Sequence, residues 1–179
     1  MSRPRKNRRR FKHVKDIVVY SPSSEDVSLA HKRSCRLGVP PGSYSHGMGR
    51  MTGFLGEIAV NTYLPRSRYA GDKQFGHDIV YKKQRIEVKS KTCSGRPEPE
   101  YSAFANGKKN MDPDNDVYFF TRVRRDLQKV YLCGWLPTPT LLDEAEFFPE
   151  GSTDDSGYVF KMSGFNIEIG ELNPPKALR

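Results

Sequence analysis

Residues 53–64, GFLGEIAVNTYL, carry apolar side chains on almost every side of a helix. Projected at about 100° per residue, Phe54, Leu55, Ile58, Ala59, Val60, Tyr63 and Leu64 cover most of the circumference. A helix apolar nearly all round is a buried helix. Glu57 falls inside that apolar surface, between Leu64 and Phe54. A carboxylate there must be paired, protonated or bound to something, because a bare buried charge is too costly. Thr52 is the expected cap, and the helix must stop before Pro65.

A second pattern follows. HDIVY (77–81) and RIEVKSK (85–91) alternate like strands. If Lys82-Lys83 forms a two-residue turn, Asp78 lies opposite Glu87, with Cβ atoms about 5 Å apart. Lys-Lys is a poor pair for a tight turn, and a wider loop would make the two acids diagonal neighbours. Lys89 shares the face of Glu87. Two close carboxylates repel unless a cation or proton joins them. A divalent ion with hard oxygen ligands resolves the repulsion, and a neighbouring ammonium suits developing charge on phosphate. A solvated cross-strand ion pair is the plainer reading of the same face.

Elsewhere DIVVY (16–20) predicts a strand. SSEDVSLAHKRSCRLG predicts a helix of about three turns, capped by Ser24, with Lys32, Arg33 and Arg36 at its C-terminus. Residues 116–123 and 129–136 form a hairpin around RRDLQ, 140–148 a short helix, and 158–172 a last hairpin turning at Ser163-Gly164. Residues 94–116 read as a long polar loop. GMGRMTG lacks the Gly-Lys-Ser/Thr ending of a P-loop, so nucleotide binding is set aside.

The length of 179 residues suits one domain, or one domain with a tail. Residues 1–15 hold eight Lys or Arg and no acid, against 22 basic and 21 acidic residues in the remainder. This arm is expected to be disordered alone and drawn to polyanions, nucleic acid first, through phosphates. Within it Arg8, Arg9 and Arg10 are candidate DNA contacts, as are Arg50 on the loop before the Glu57 helix and Lys82, Lys83 and Lys91 around the acids. Cys35, Cys93 and Cys133 show no metal or disulfide spacing. No apolar run approaches the roughly 20 residues of a membrane span, and no signal-type segment opens the chain, so an intracellular, DNA-associated protein is expected.

The order of a helix with Glu57, a strand with HD at 77–78, a strand with EVK at 87–89, then further strand and helix resembles the PD-(D/E)xK nuclease superfamily. EVKSK is similar to archaeal Holliday-junction resolvases and related small, phage-type endonucleases. The resemblance covers roughly residues 50–136, and His77 stands where the motif has proline. It implies a mixed α/β, restriction-endonuclease-like core: a central sheet of about four strands flanked by helices, with an extra C-terminal hairpin here. It divides the chain into a basic arm (1–15) and one nuclease-like domain (16–179), with a core at about 50–136 and an elaboration at 137–179. It implies a metal-dependent DNA endonuclease using Mg²⁺, or Mn²⁺ as a substitute. Asp78, Glu87 and the Val88 carbonyl would bind the metal, Lys89 would be catalytic, and Glu57 would support the metals. The alternatives are a branch-specific resolvase acting as a homodimer, and a nucleic-acid-binding protein without catalysis.

Overall fold

The computed structural model describes residues 16–36, 48–71 and 76–179. Arg8, Arg9 and Arg10, with the rest of the arm, lie outside the described residues. Among the described residues no helix is long and apolar enough to cross a membrane.

Strand β1 (Val18–Tyr20) leads into helix α1 (Ser24–Arg36). Ser23, rather than Ser24, caps it. The Asp26 N–H donates to Ser23 Oγ at 3.1 Å, and the Asp26 carboxylate accepts the Ser23 N–H at 2.8 Å. This reciprocal box satisfies two orphan amides. Helix α2 (Met48–Tyr63) begins a turn ahead of the expected Thr52 cap. Met51 and Thr52 are both buried, so the inward stripe of the helix extends further toward its N-terminus than its apolar run suggests. Arg50 therefore lies on the helix and not on a loop.

The main sheet has six strands in the order β1-β7-β6-β4-β3-β2. They are β2 (Arg68–Tyr69), β3 (Ile79–Tyr81), β4 (Gln84–Cys93), β6 (Val117–Arg124) and β7 (Val130–Pro137), with β1 at one edge. All neighbours run antiparallel except the β4–β6 pair, so the sheet is mixed. Between β6 and β7 the register slips after Phe120, where Cys133 is the extra residue. Such a bulge sharpens the local twist. Helix α2 packs on one face, against β4, β6 and β7, and α1 packs on α2. Leu55, Ile58 and Val60 meet Ile86, Val88, Phe119 and Leu132 there.

The opposite face of the sheet is covered differently from expectation. A three-stranded sheet, β5-β9-β8, and helix α3 (Thr138–Glu144) lie over Tyr118, Phe120, Tyr131 and Leu136. Strand β5 (Ser102–Asn106) comes from the segment read as a loop, and β8 (Glu146–Phe148) from the segment read as helix. The expected C-terminal hairpin is absent among the described residues. Only β9 (Gly164–Glu168) forms, between β5 and β8, because Phe165 and Ile167 alternate inward while Tyr158, Val159 and Met162 stay exposed. The central sheet thus has six strands rather than about four. Its second layer joins β5, from within 50–136, to β8 and β9 from 137–179.

Gly56 sets how closely α2 approaches the sheet. A Cβ there would stand 2.0 Å from Ser90 Oγ and 2.6 Å from Thr121 Oγ1. Those hydroxyls bond each other at 2.8 Å across the parallel pair. Helical Gly→Ala changes ordinarily stabilise by up to about 1 kcal/mol. Gly56→Ala should instead cost about 3 kcal/mol by overpacking. Gly53→Ala, with nothing within 4 Å of its Cβ, should show the ordinary gain. Urea unfolding of the two variants checks the opposite signs.

Candidate functional site

Lys82 and Lys83 do form the two-residue turn, with φ of 48° and 66°. Two left-handed residues make the primed turn that matches strand twist. The register is thereby fixed: Tyr81 opposite Gln84, Val80 opposite Arg85, Ile79 opposite Ile86. One step further, β3 leaves the ladder. The Asp78 N–H donates to Ile86 O at 2.9 Å instead of continuing to Glu87. The Asp78 carboxylate crosses to the exposed flank of β4 and accepts the Val88 N–H at 2.7 Å. Within a strand one residue's N–H and C=O point the same way. The Val88 carbonyl is therefore directed to the flank where Asp78 sits.

Ile86 and Val88 turn toward α2, so Glu87, Lys89 and Lys91 turn to the other face. Lys89 Nζ donates to Glu87 Oε1 at 2.8 Å, with both side chains about a fifth exposed. Glu57 approaches the same flank from α2. It is 8% exposed and accepts a bond from Arg33 Nη2 at 2.9 Å. Arg33, from α1, lies between the rings of Phe54 and Tyr69, with centroids at 4.1 and 5.1 Å.

Burial pushes the Glu57 carboxyl up to about 8. The Asp78 charge adds to the shift and Glu87 adds less, while Arg33 opposes it. Burial, then the Glu87 charge, pushes Asp78 up to about 6 against the Val88 N–H, Lys89 and Arg33. Three acids from three segments therefore feel one another, and Arg33, Lys89 and the Val88 N–H offset them in part. That surplus negative potential is what a divalent cation relieves.

Among the described residues no group of three or more His, Cys, Asp and Glu side chains is placed to hold a metal ion. The donors on and beside this flank are the carboxylate oxygens of Asp78 and Glu87 and the Val88 carbonyl. That donor set fits Mg²⁺, which retains waters, better than it fits a closed zinc site. Asp78 Oδ1 and Glu87 Oε2 have no bonded partner among the described residues.

The expected contacts Lys82, Lys83, Arg50 and Lys91, and the neighbouring Arg85 and His77, are scattered. Lys82 and Lys83 sit at the hairpin tip, about 13 Å along the strand from Asp78. Lys82 Nζ donates to the Arg179 carbonyl at 2.6 Å, so it does not flank the acids. Arg85 is held by Asp114 and Asp116. Arg50 lies two helical turns before Glu57 on the same side of α2 and is half-buried. His77 is buried with Nδ1 unpartnered, not exposed to a phosphate. Lys91 lies deep between the two sheets.

Sequence reasoning missed Arg33, which it assigned to the C-terminal end of a helix. The signal was its position three residues after Ala30 and six after Val27, on the side by which α1 packs. No family model matches the chain, and no curated protein is detectably similar to it.

A carboxyl whose pKa is raised by folding favours the folded state fully below its unfolded value, near 4. That advantage is lost as the pH rises through the folded value. Glu57 and Asp78 therefore make stability fall between about pH 4 and pH 8. Asp78→Asn keeps an acceptor for the Val88 N–H and removes one charge. It should be more stable than wild type at pH 8, with the gap closing below pH 4, as denaturant titrations across pH will report.

Proposed function

We propose that this protein is a metal-dependent DNA endonuclease that hydrolyses phosphodiester bonds. The observation that carries the reading is the raised proton affinity of Asp78, from burial and then the Glu87 charge, with Lys89 against Glu87 on the same strand. Asp78, Glu87 and the Val88 carbonyl would hold Mg²⁺, or Mn²⁺ in its place. When bound, the ion supplies a water of lowered pKa and positive charge beside the phosphate.

The chain's own groups do the rest. Lys89 stands over Glu87, where its ammonium can meet a non-bridging phosphate oxygen as charge builds during attack. Water adds to phosphorus, the bond to the leaving sugar oxygen breaks, and that oxygen takes up a proton. Glu57 stands at the buried side of the flank, where the bond from Arg33 fixes its orientation. Glu57, Asp78, Glu87 and Lys89 are thus the proposed catalytic set, and the basic arm with Arg50 would hold backbone phosphates. The primed turn supports this reading because it sets the register that carries Asp78 to the flank of β4 beside Val88.

Cleavage of supercoiled, linear, single-stranded and four-way-junction DNA with Mg²⁺, Mn²⁺ or EDTA tests it. Wild type should cut only with a divalent ion. Lys89→Ala should fold normally by circular dichroism and lose about 100-fold or more in rate. Strong preference for the junction would point to a resolvase acting as a dimer. If both proteins bind DNA equally and neither cuts any form, the Glu87–Lys89 contact is an ordinary ion pair and the chain is a binding protein.

A further inference from the structure

Beyond the carboxylate flank, the face of β4 that carries Glu87 and Lys89 runs on into a cleft between the two sheets. The cleft is open to solvent on one side and is lined by Lys89, Lys91, Ser102, Phe104 and Arg122 among others. Lys91 and Arg122 occupy facing positions of the parallel β4–β6 pair. Neighbouring strands are about 4.8 Å apart, so two cations are held side by side. Like charges directly opposite are destabilising.

Neither cation has a carboxylate partner among the described residues. Lys91 Nζ donates to Ser102 Oγ at 3.2 Å, and Arg122 donates to the Ser102 carbonyl. Asp154 acts on Lys91 from beyond ion-pair distance, and its Oδ1 accepts from the Ser156 hydroxyl and from the N–H groups of Ser156 and Tyr158. Burial, and then Arg122, lowers the Lys91 ammonium to about 8. Aromatic rings border the pair. Tyr158 and Phe104 lie 5.7 and 5.8 Å from Lys91 Nζ, and Tyr101 lies 5.7 Å from the Arg122 guanidinium. Tyr158 and Tyr101 are 50% and 45% exposed, so they present ring surface to solvent.

A recessed cation pair with no ion-paired acid among the described residues, rimmed by exposed tyrosines, matches one ligand chemistry. The anion must reach inward, and a flat group beside it must rest on a ring. Duplex phosphates lie on a stiff cylinder and meet projecting lysines. An unpaired strand can bend a phosphate inward and lay its bases on aromatic side chains. Lys91 is two strand residues from Lys89 and four from Glu87, or about 7 and 13 Å. That is a reach of a nucleotide or two.

We propose that the cleft at Lys91 and Arg122 is a phosphate subsite for single-stranded DNA, with Tyr158 and Tyr101 stacking the adjoining bases. The subsite names the substrate of the proposed nuclease. It rests on that reading for where the strand is cut, but not for the binding itself.

The test uses the full chain in EDTA, where no cleavage occurs. Fluorescein-labelled oligothymidylate and a duplex of equal length are titrated into wild type, Lys91→Met and Tyr158→Leu, with melting curves to check folding. Each substitution should weaken oligothymidylate about tenfold or more, and duplex binding much less. A pulse of acetic anhydride read by mass spectrometry should show Lys91 protected by oligothymidylate while Lys83 stays reactive. Unchanged oligothymidylate affinity in both variants, or an unprotected Lys91 at saturation, overturns the subsite. Tighter binding of oligouridylate overturns its assignment to DNA. Protection of Lys91 in EDTA without any cutting in Mg²⁺ sinks the nuclease reading and leaves the subsite standing.

Discussion

The flank of β4 that β3 abandons is the constraint around which the molecule is arranged. Strand β3 has three residues and β4 has ten. Past Ile86, β4 therefore presents an amide and a carbonyl with no strand among the described residues beside them on that side. An unmet backbone amide in a partly buried setting is expensive. Asp78 meets it with a side chain rather than with more strand, and so a charge is fixed where a ladder would otherwise continue. Once that charge is placed, the neighbouring acids inherit its field. The Glu57 carboxyl, already disfavoured as a charge by its burial, is pushed further by this one.

Contributions reach the flank from both sides of one sheet. Glu57 comes from the helical layer and Glu87 with Lys89 from the face under the second sheet. A sheet ordinarily insulates its two faces from each other, and only an open margin lets groups from both share a field. Close approach of α2 is the other requirement. With any side chain at position 56 the helix would stand off, and Glu57 would withdraw from Asp78.

Local chemistry made some of this readable in the amino-acid pattern. Alternation over 85–91 and the doubled lysine located the hairpin, although lysine is an unfavourable occupant of left-handed turn positions. The antiparallel β6–β7 pair was readable because both strands are apolar for most of their length. The second sheet was hidden for a converse reason. SAFAN buries only Ala103 and Ala105 firmly, and EFF is three residues long, so neither carries enough apolar rhythm to stand out from a loop. Pairings between remote segments create these strands, and a local window contains no trace of the partner. Arg33 was obscured because a basic residue near a helix end has a ready explanation in the helix dipole. Lys91 was legible as a cation near the acids, but its recess depends on β5, which pattern reading did not find.

The connectivity of the second sheet also governs the order in which the molecule can be made. The hairpin at 82–83 and the β6–β7 pair close between near neighbours, whereas Asn106 must wait for Gly164. Closing a longer loop costs more chain entropy, and distant pairings form slowly. Strand β5 would then remain unpaired until residues 164–168 had been synthesised and had returned to it. The acidic flank draws on α1, α2, β3 and β4, all from the first half of the chain, so its framework precedes the cleft that lies under β5. A ribosome-bound chain would hold the charged margin before it held the recess beside it.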